Sequence, residues 1–134
     1  MKNELRVIIA GSRDFDDYKS LDEKCSTAIM GELIENEDCE FQKIRIISGT
    51  ARGADQLGER FAKNKEYELS KFPADWGLYG KSAGYKRNVE MAKFSVENNN
   101  VGILIAFWDG KSKGTKNMID IAKRYGLKVH VIKF

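Results

Sequence analysis

The sequence has little histidine, cysteine or proline, and it has no long apolar run. Its single histidine, His130, and its two cysteines, Cys25 and Cys39, are far apart along the chain, so no cluster has the spacing of a metal site. The cysteines do not form a CxxC pair, and we expect free thiols in a reducing compartment. The longest apolar stretch, Val101 to Trp108, is too short to span a membrane, and residues 1–6 are too polar for a signal peptide. These absences favour a cytoplasmic protein with neither a metal nor a membrane partner.

An excess of charge of one sign is also missing. The chain has 23 Lys and Arg against 20 Asp and Glu, which gives a net charge of +3, and the two signs are interspersed. Nucleic-acid-binding domains usually collect basic residues on one face, so this composition disfavours nucleic acid as the partner. The 134 residues include 42% hydrophobic residues and show no linker or repeat, so residues 1–134 predict one globular domain.

Five short apolar runs alternate with four amphipathic patterns. The runs cover residues 5–10, 44–48, 67–72, 101–107 and 127–132, and the helical patterns cover residues 17–36, 53–65, 83–97 and 115–125. The first, fourth and fifth runs are typical of strands covered by helices on both faces, whereas the alternating third run suits an edge strand. This order predicts an α/β fold with a parallel sheet and helices on both faces.

The loops that follow the strands differ in composition from those that precede them. Glycine, arginine and hydroxyl residues concentrate in residues 11–14, 48–55, 72–88 and 108–115. The carboxyl ends of parallel strands meet at one edge of a sheet, so these loops are expected on the rim where α/β folds bind ligands. Glycine lets the backbone approach a phosphate, helix N-termini attract anions, and arginine adds charged hydrogen bonds. The composition of these loops therefore predicts an anion-binding site at this edge of the sheet.

This rim supplies the candidate binding residues. Arg13, Arg52 and Arg87 are the candidate phosphate partners, and Trp76 is favoured over Trp108 as a stacking surface for a base. The full candidate set for ligand or phosphate binding is Gly11, Ser12, Arg13, Ser48, Gly49, Arg52, Gly53, Asp55, Trp76, Arg87, Asn88, Asp109, Gly110, Ser112, Gly114 and Thr115. The carboxylates that are candidates for acid–base chemistry are Asp55, Asp75, Asp109 and Asp120.

Structural roles for the same residues remain open alternatives. The glycines can serve turn geometry alone, and Ser112 and Thr115 can be helix N-caps, each contributing about 1 kcal/mol. Arg87 can pair with Glu90 or Asp75 on the surface. Neither GxxxxGK[ST] nor GxGxxG occurs, which disfavours a Walker-type ATPase and a standard dinucleotide dehydrogenase.

In combination, these loops resemble the YspA-like, YpsA-related branch of the SLOG superfamily of Rossmann-like domains. The matching strings are Gly11-Ser12-Arg13, residues 48–55, residues 73–76, Arg87-Asn88 and residues 108–115. The resemblance implies a Rossmann-like three-layer sandwich, for which we expect the strand order 3-2-1-4-5. It also implies a pocket for a nucleotide or nucleotide-derived molecule, often in a homodimer. We therefore expect binding or sensing of such a phosphate ligand, with no other cofactor indicated.

Two relatives within the superfamily supply rival functions. LOG-type phosphoribohydrolases cleave the bond between base and ribose 5′-monophosphate and carry a PGGxGTxxE motif. Asp109-Gly110 and Gly114-Thr115 resemble its phosphate-holding part, but residues 116–120 contain no glutamate, and Asp120 is the nearest carboxylate. DprA-type proteins bind single-stranded DNA with a loop similar to residues 48–55, and this function is the minor alternative because the charge excess is weak.

Overall fold

The computed structural model of the chain describes residues 3–36, 41 and 43–134. Within these residues, the chain forms five strands and five α-helices. The elements are β1 Leu5–Gly11, α1 Tyr18–Glu35, β2 Ile44–Ser48, α2 Ala54–Lys65, β3 Glu68–Lys71, α3 Trp76–Tyr79, α4 Ala83–Val96, β4 Val101–Trp108, α5 Lys113–Arg124 and β5 Lys128–Lys133. Short 3₁₀ turns at Gly80–Ser82 and Glu97–Asn99 follow α3 and α4.

The strands form one parallel sheet in the order β3-β2-β1-β4-β5, which confirms the predicted fold. β1 lies at the centre, where Leu5 is in register with Ile44 on one side and Val101 on the other. Alternate residues of β1 point to opposite faces, as the pleat of a strand requires. One face packs against α1 and α2, and the other packs against α4 and α5. The result is the expected three-layer sandwich.

β5 lies at an edge, as the expected strand order requires, but the expectation that helices cover both of its faces was wrong. Lys128, Val131 and Lys133 are exposed, and the residues between them are only half-buried. The physical reason is that Val129, Val131 and Ile132 are separated or flanked by polar side chains, so the run is too interrupted for a central strand. β3, the strand predicted to lie at an edge, does lie at the opposite edge.

The predicted helix ends agree with the structure to within two residues. Asp17 caps α1 through its side chain, and Gly126, with φ 82°, follows the end of α5. α3 was not predicted, because four residues are too few to show a helical period. Cys25 is buried and free, and Cys39 lies outside the described residues. No helix in the described ranges has both the length and the apolar character needed to cross a membrane.

Candidate ligand-binding cleft

A cleft opens at the carboxyl edge of the sheet, beside the end of β1. The chain leaves β1 toward β2 on one side and later returns to β4 on the other, so the loops after these strands separate around it. This is the position at which doubly wound sheets bind their ligands. The cleft has an inner compartment of about 210 Å³ and an outer compartment of about 320 Å³.

The inner compartment lies between the first turns of α4 and α5, and it combines apolar walls with a few polar groups. Its residues are Ala10, Gly11, Arg13, Ala51, Asp55, Trp76, Lys81, Gly84, Tyr85, Arg87, Asn88, Met91, Ser112, Gly114, Thr115 and Met118. The outer compartment is formed by the loops after β2 and β3. Its residues are Arg13, Gly49, Thr50, Ala51, Arg52, Pro73, Ala74, Trp76 and Arg87. Arg13, Ala51, Trp76 and Arg87 line both compartments and separate them.

Buried polar side chains mark this rim. Among the described residues, the buried polar or charged side chains are Ser12, Glu32, Ser48, Asp55, Asn88, Ser95 and Thr115. Five of these seven belong to the predicted site set, and only Glu32 and Ser95 lie elsewhere. Burying polar groups lowers stability unless they are hydrogen-bonded. Their concentration at one edge of the sheet is therefore typical of a functional site.

Arg87 is held in place from two sides. Its Nε donates to Asn88 Oδ1 at 3.0 Å, and its Nη1 donates to the carbonyl oxygen of Gly49. Asn88 is in turn fixed by Asn117, whose Oδ1 accepts from Asn88 Nδ2 at 2.9 Å. Arg87 does not pair with Glu90 or Asp75, the partners that a purely structural role would give it. Its Nη2 has no hydrogen-bond partner among the described residues, so the two N–H groups of this nitrogen remain for a ligand.

Asp55 is the buried carboxylate of the cleft. It lies in the first turn of α2, and Oδ2 accepts a hydrogen bond from the Ala51 N–H at 3.2 Å. Burial raises the pKa of Asp55 to about 6, although the Ala51 N–H, the nearby charge of Arg87 and the Gly11 N–H act against the shift. A carboxyl group that titrates near neutrality beside a pocket is suited to proton transfer or to a pH-dependent contact.

The β2–α2 loop is tightly constrained. The hydroxyl of Ser48 donates to Glu59 Oε2 at 2.7 Å and accepts from the Thr50 N–H at 3.0 Å. Thr50 adopts φ 67°, a left-handed conformation that a β-branched residue rarely adopts. A Cβ on Gly49 would lie 2.7 Å from Arg87 Nη1 and 2.8 Å from Asp55 Oδ2. A side chain at position 49 would therefore displace Arg87 or Asp55.

The start of α5 forms the opposite wall. Ser112 is the N-cap, and its hydroxyl accepts from the Thr115 N–H at 3.3 Å and lies 3.1 Å from Thr115 Oγ1. Asp109 Oδ1 accepts from the N–H groups of Lys111 and Ser112, both at 2.8 Å. These hydrogen bonds lower the pKa of Asp109. Trp108 donates its Nε1 hydrogen to the Ser112 carbonyl at 3.1 Å and does not line the cleft.

Five predicted site residues support the cleft walls from outside: Ser12, Ser48, Gly53, Asp109 and Gly110. The hydroxyl of Ser12 accepts from the Asp109 N–H at 3.2 Å, which connects the loops after β1 and β4. Gly53 has φ 84°, and a Cβ there would lie 2.5 Å from the carbonyl oxygens of Ser12 and Arg13. Gly53 thus packs one loop against the other and lines neither compartment.

The four candidate carboxylates are placed very differently. Only Asp55 lines a compartment. Asp75 caps α3 by accepting from the Leu78 N–H at 3.0 Å, and Asp109 holds its own loop. Asp120 is exposed and forms an ion pair with Lys116 at 2.8 Å. The position three residues after Thr115, where the LOG motif has its glutamate, holds the buried Met118. In the described part of the chain, no three His, Cys, Asp or Glu side chains come together as a metal site.

Several residues of the cleft were not in the predicted site set. Met91 and Met118 complete its apolar wall, and Lys81 and Tyr85 lie at the inner compartment. The methionines show only an ordinary helix spacing, so no signal distinguished them from core residues. Gly84 lies in the first turn of α4, where a Cβ would approach the Trp76 ring to 3.4 Å, so glycine allows the indole to lie close to the helix.

Comparison with known proteins identifies the family of the chain. The family model described as "YspA, cpYpsA-related SLOG family" matches residues 5–79. The "Gene 61 protein" of Mycobacterium phage D29 is 30% identical over 129 residues, which is 92% of this chain and 93% of the phage protein. No solved structure matches the chain. The family match includes β1, the β2–α2 loop and Trp76, and the phage relative extends over nearly the whole chain. The chain belongs to the YspA, cpYpsA-related SLOG family.

Proposed function

We propose that the protein binds a nucleotide or a nucleotide-derived phosphate ligand in the cleft. The observation that carries this proposal is that Arg13, Arg52 and Arg87 converge on the cleft without an ion-pair partner among the described carboxylates. Arg13 and Arg52 are unpaired, and Arg87 acts electrostatically on the nearby Asp55 but forms no ion pair with it. Three guanidinium groups placed in this way favour a phosphate-bearing anion. Trp76 and the apolar wall of the inner compartment suit a base, and the polar groups beside them suit a ribose.

The test is stabilisation of the folded protein by nucleotides. A ligand at a hundredfold excess over its Kd should raise Tm by roughly 10 °C, because it binds only the folded state. Arg13→Ala should abolish most of this shift, since Arg13 is exposed, lines both compartments and makes no ion pair with a described carboxylate. Arg124→Ala removes the same charge from the far end of α5 and should leave the shift intact. No shift with any nucleoside mono-, di- or triphosphate would overturn the proposal.

A second candidate function is hydrolysis of the bond between base and ribose 5′-phosphate. Asp55 favours it, because its pKa of about 6 would let one carboxyl group exchange a proton near neutral pH. The test is incubation with nucleoside 5′-monophosphates and chromatography for free base, with Asp55→Asn as the comparison. Release of base that Asp55→Asn eliminates supports the reaction, and no release above a heat-killed control rejects it.

The family resemblance also makes a homodimer part of this proposal. Large apolar side chains are exposed near the cleft mouth: Trp76, Leu78, Tyr79 and Tyr85. Exposed apolar groups of this kind are typical of protein interfaces. Light scattering on the purified protein should give twice the chain mass, and a monomer mass at micromolar concentration would reject the dimer.

A further inference from the structure

The division of the cleft into two compartments bears on the class of ligand. Arg13, Ala51, Trp76 and Arg87 line both compartments, so the two spaces adjoin. Arg52 lines only the outer compartment, and Lys81 lines only the inner one. A ligand confined to the inner compartment would therefore leave Arg52 without a partner.

The lining of the outer compartment is cationic. Three of its nine residues are arginines, and none of the nine is an aspartate or glutamate. Arg13 and Arg52 are exposed at its edge, whereas Arg87 is half-buried and fixed by Asn88 and Gly49. Arg13 and Arg52 each offer a fork of donors that matches the oxygens of a phosphate, and Arg87 adds its Nη2 because its Nε and Nη1 are already bonded to Asn88 and Gly49. Together these donors can serve more than one phosphate group.

The inner compartment has a different chemistry. Met91, Met118, Trp76 and Tyr85 give it apolar and aromatic surface, and Asp55 is its carboxylate. The N-terminal turn of α5, with Ser112, Gly114 and Thr115, also faces it. Such a lining fits a nucleoside together with the first phosphate, which the helix end can accept.

We infer that the preferred ligand carries two linked phosphate groups, with the nucleoside in the inner compartment and the second phosphate in the outer one. This inference rests on the proposed function, and it narrows the ligand from any nucleotide to a nucleoside diphosphate or a derivative that keeps the diphosphate. Arg13 and Arg87 lie where the two phosphates join, and Arg52 contacts the second phosphate alone.

The experiment is isothermal titration calorimetry of the full chain in a buffer with EDTA, since a bound magnesium ion would mask the diphosphate charge. The probes are a nucleoside, its 5′-monophosphate and its 5′-diphosphate for adenine, guanine, cytosine and uracil, together with inorganic pyrophosphate. For at least one base, the diphosphate should bind about tenfold or more tightly than the monophosphate, as expected for one additional charged hydrogen-bond contact.

Two variants test which arginine is responsible for the higher affinity for the diphosphate. Arg52→Ala should reduce diphosphate affinity to that of the monophosphate and leave monophosphate affinity within about twofold of the wild type. Arg124→Ala should keep the full difference between the two ligands. Equal affinity for mono- and diphosphate in the wild type, or an equal loss of both in Arg52→Ala, would overturn the inference while leaving nucleotide binding in place. No binding of either class would overturn the proposed function as well.

Discussion

Arginine side chains at the two edges of the sheet are used in opposite ways. At the amino edge, Glu4 forms ion pairs with Arg6 at 2.8 Å and with Arg45 at 2.9 Å. The hydrogen bond from Arg45, followed by that from Arg6, lowers the pKa of Glu4 to about 2 despite partial burial. At the carboxyl edge, Arg13 and Arg52 have no such partner among the described residues. Composition counts all four as equal positive charges, but only the unpaired ones are available to an anion.

Asp55 should make stability depend on pH between about 4 and 6. Its pKa is raised from 3.8 to about 6 in the folded chain, so the folded state binds this proton more tightly than the unfolded state. The contribution to stability is therefore fully present below about pH 4 and is lost as pH rises through 6. The loss should be roughly 3 kcal/mol at most, given 1.36 kcal/mol per pKa unit.

Urea unfolding of the wild type and Asp55→Asn at pH 4.5, 5.5, 6.5 and 7.5 would measure this effect. The amide of the variant cannot titrate, so the difference between the two proteins should change across this range in favour of the variant at high pH. Other groups, such as Glu4, are common to both proteins and cancel. Two curves that remain parallel from pH 4.5 to 7.5 would show that Asp55 keeps an ordinary pKa.

Gly49→Ala should weaken nucleotide binding by about tenfold or more, because the new methyl group would displace Arg87 or Asp55. Gly31→Ala is the matched control: no atom lies within 4 Å of a Cβ there, and the residue is exposed within α1. The control should gain about 0.5–1 kcal/mol of stability and bind nucleotide normally. Calorimetry and thermal unfolding measure both properties, and normal binding by Gly49→Ala would mean that the loop can adjust at no cost to the site.

At the scale of secondary-structure elements, the start of α5 both stabilises the helix and forms a wall of the cleft. Ser112 both caps α5 and lines the inner compartment. Ser112→Ala should cost about 1 kcal/mol of stability, as the loss of an N-cap usually does. Ser112→Asp keeps a good cap and favours the helix dipole, yet it places a negative charge where the ligand phosphate is expected.

Thermal unfolding and calorimetry of both variants separate the roles. We expect Ser112→Asp to keep wild-type stability and to lose about tenfold or more in nucleotide affinity. If Ser112 serves only as a cap, Ser112→Asp will bind as well as the wild type.

Element length determines how much of this fold could be predicted. α1, α2, α4 and α5 each span at least three turns, so apolar spacing and end signals such as Gly126 place them accurately. α3 has only four residues, and its sequence is typical of a loop. β5 is predicted correctly as a strand, but it was expected to be covered on both faces. Its three apolar residues resemble part of a buried run, yet in the structure they are exposed or only half-buried.

At the scale of the whole molecule, the site is predictable only in outline. Strand order and the rim follow from chain direction and from loops rich in Gly and Arg. The two compartments cannot be predicted from the sequence, because they depend on how α4 packs against α5 and on where α3 places Trp76. Asn117 illustrates the limit: it fixes Asn88 across 29 positions of sequence, and nothing in its local sequence indicates that contact.

The distribution of charge over the molecule predicts weak binding of single-stranded DNA. DNA binding needs a long basic groove with stacking side chains, whereas the unpaired arginines here meet in one small cleft and the net charge is only +3. We expect a labelled twenty-nucleotide oligothymidine to bind with Kd of about 100 µM or weaker at 150 mM NaCl, in the range of non-specific association. Fluorescence anisotropy from 50 to 300 mM NaCl measures both the affinity and its salt slope.

Any residual binding should be displaced by excess nucleoside diphosphate, because the only free cluster of arginines in the described chain is the one at the cleft. Micromolar DNA binding at 150 mM NaCl that excess nucleotide does not displace would instead require a second basic surface, and it would favour the DNA-binding function over the nucleotide pocket.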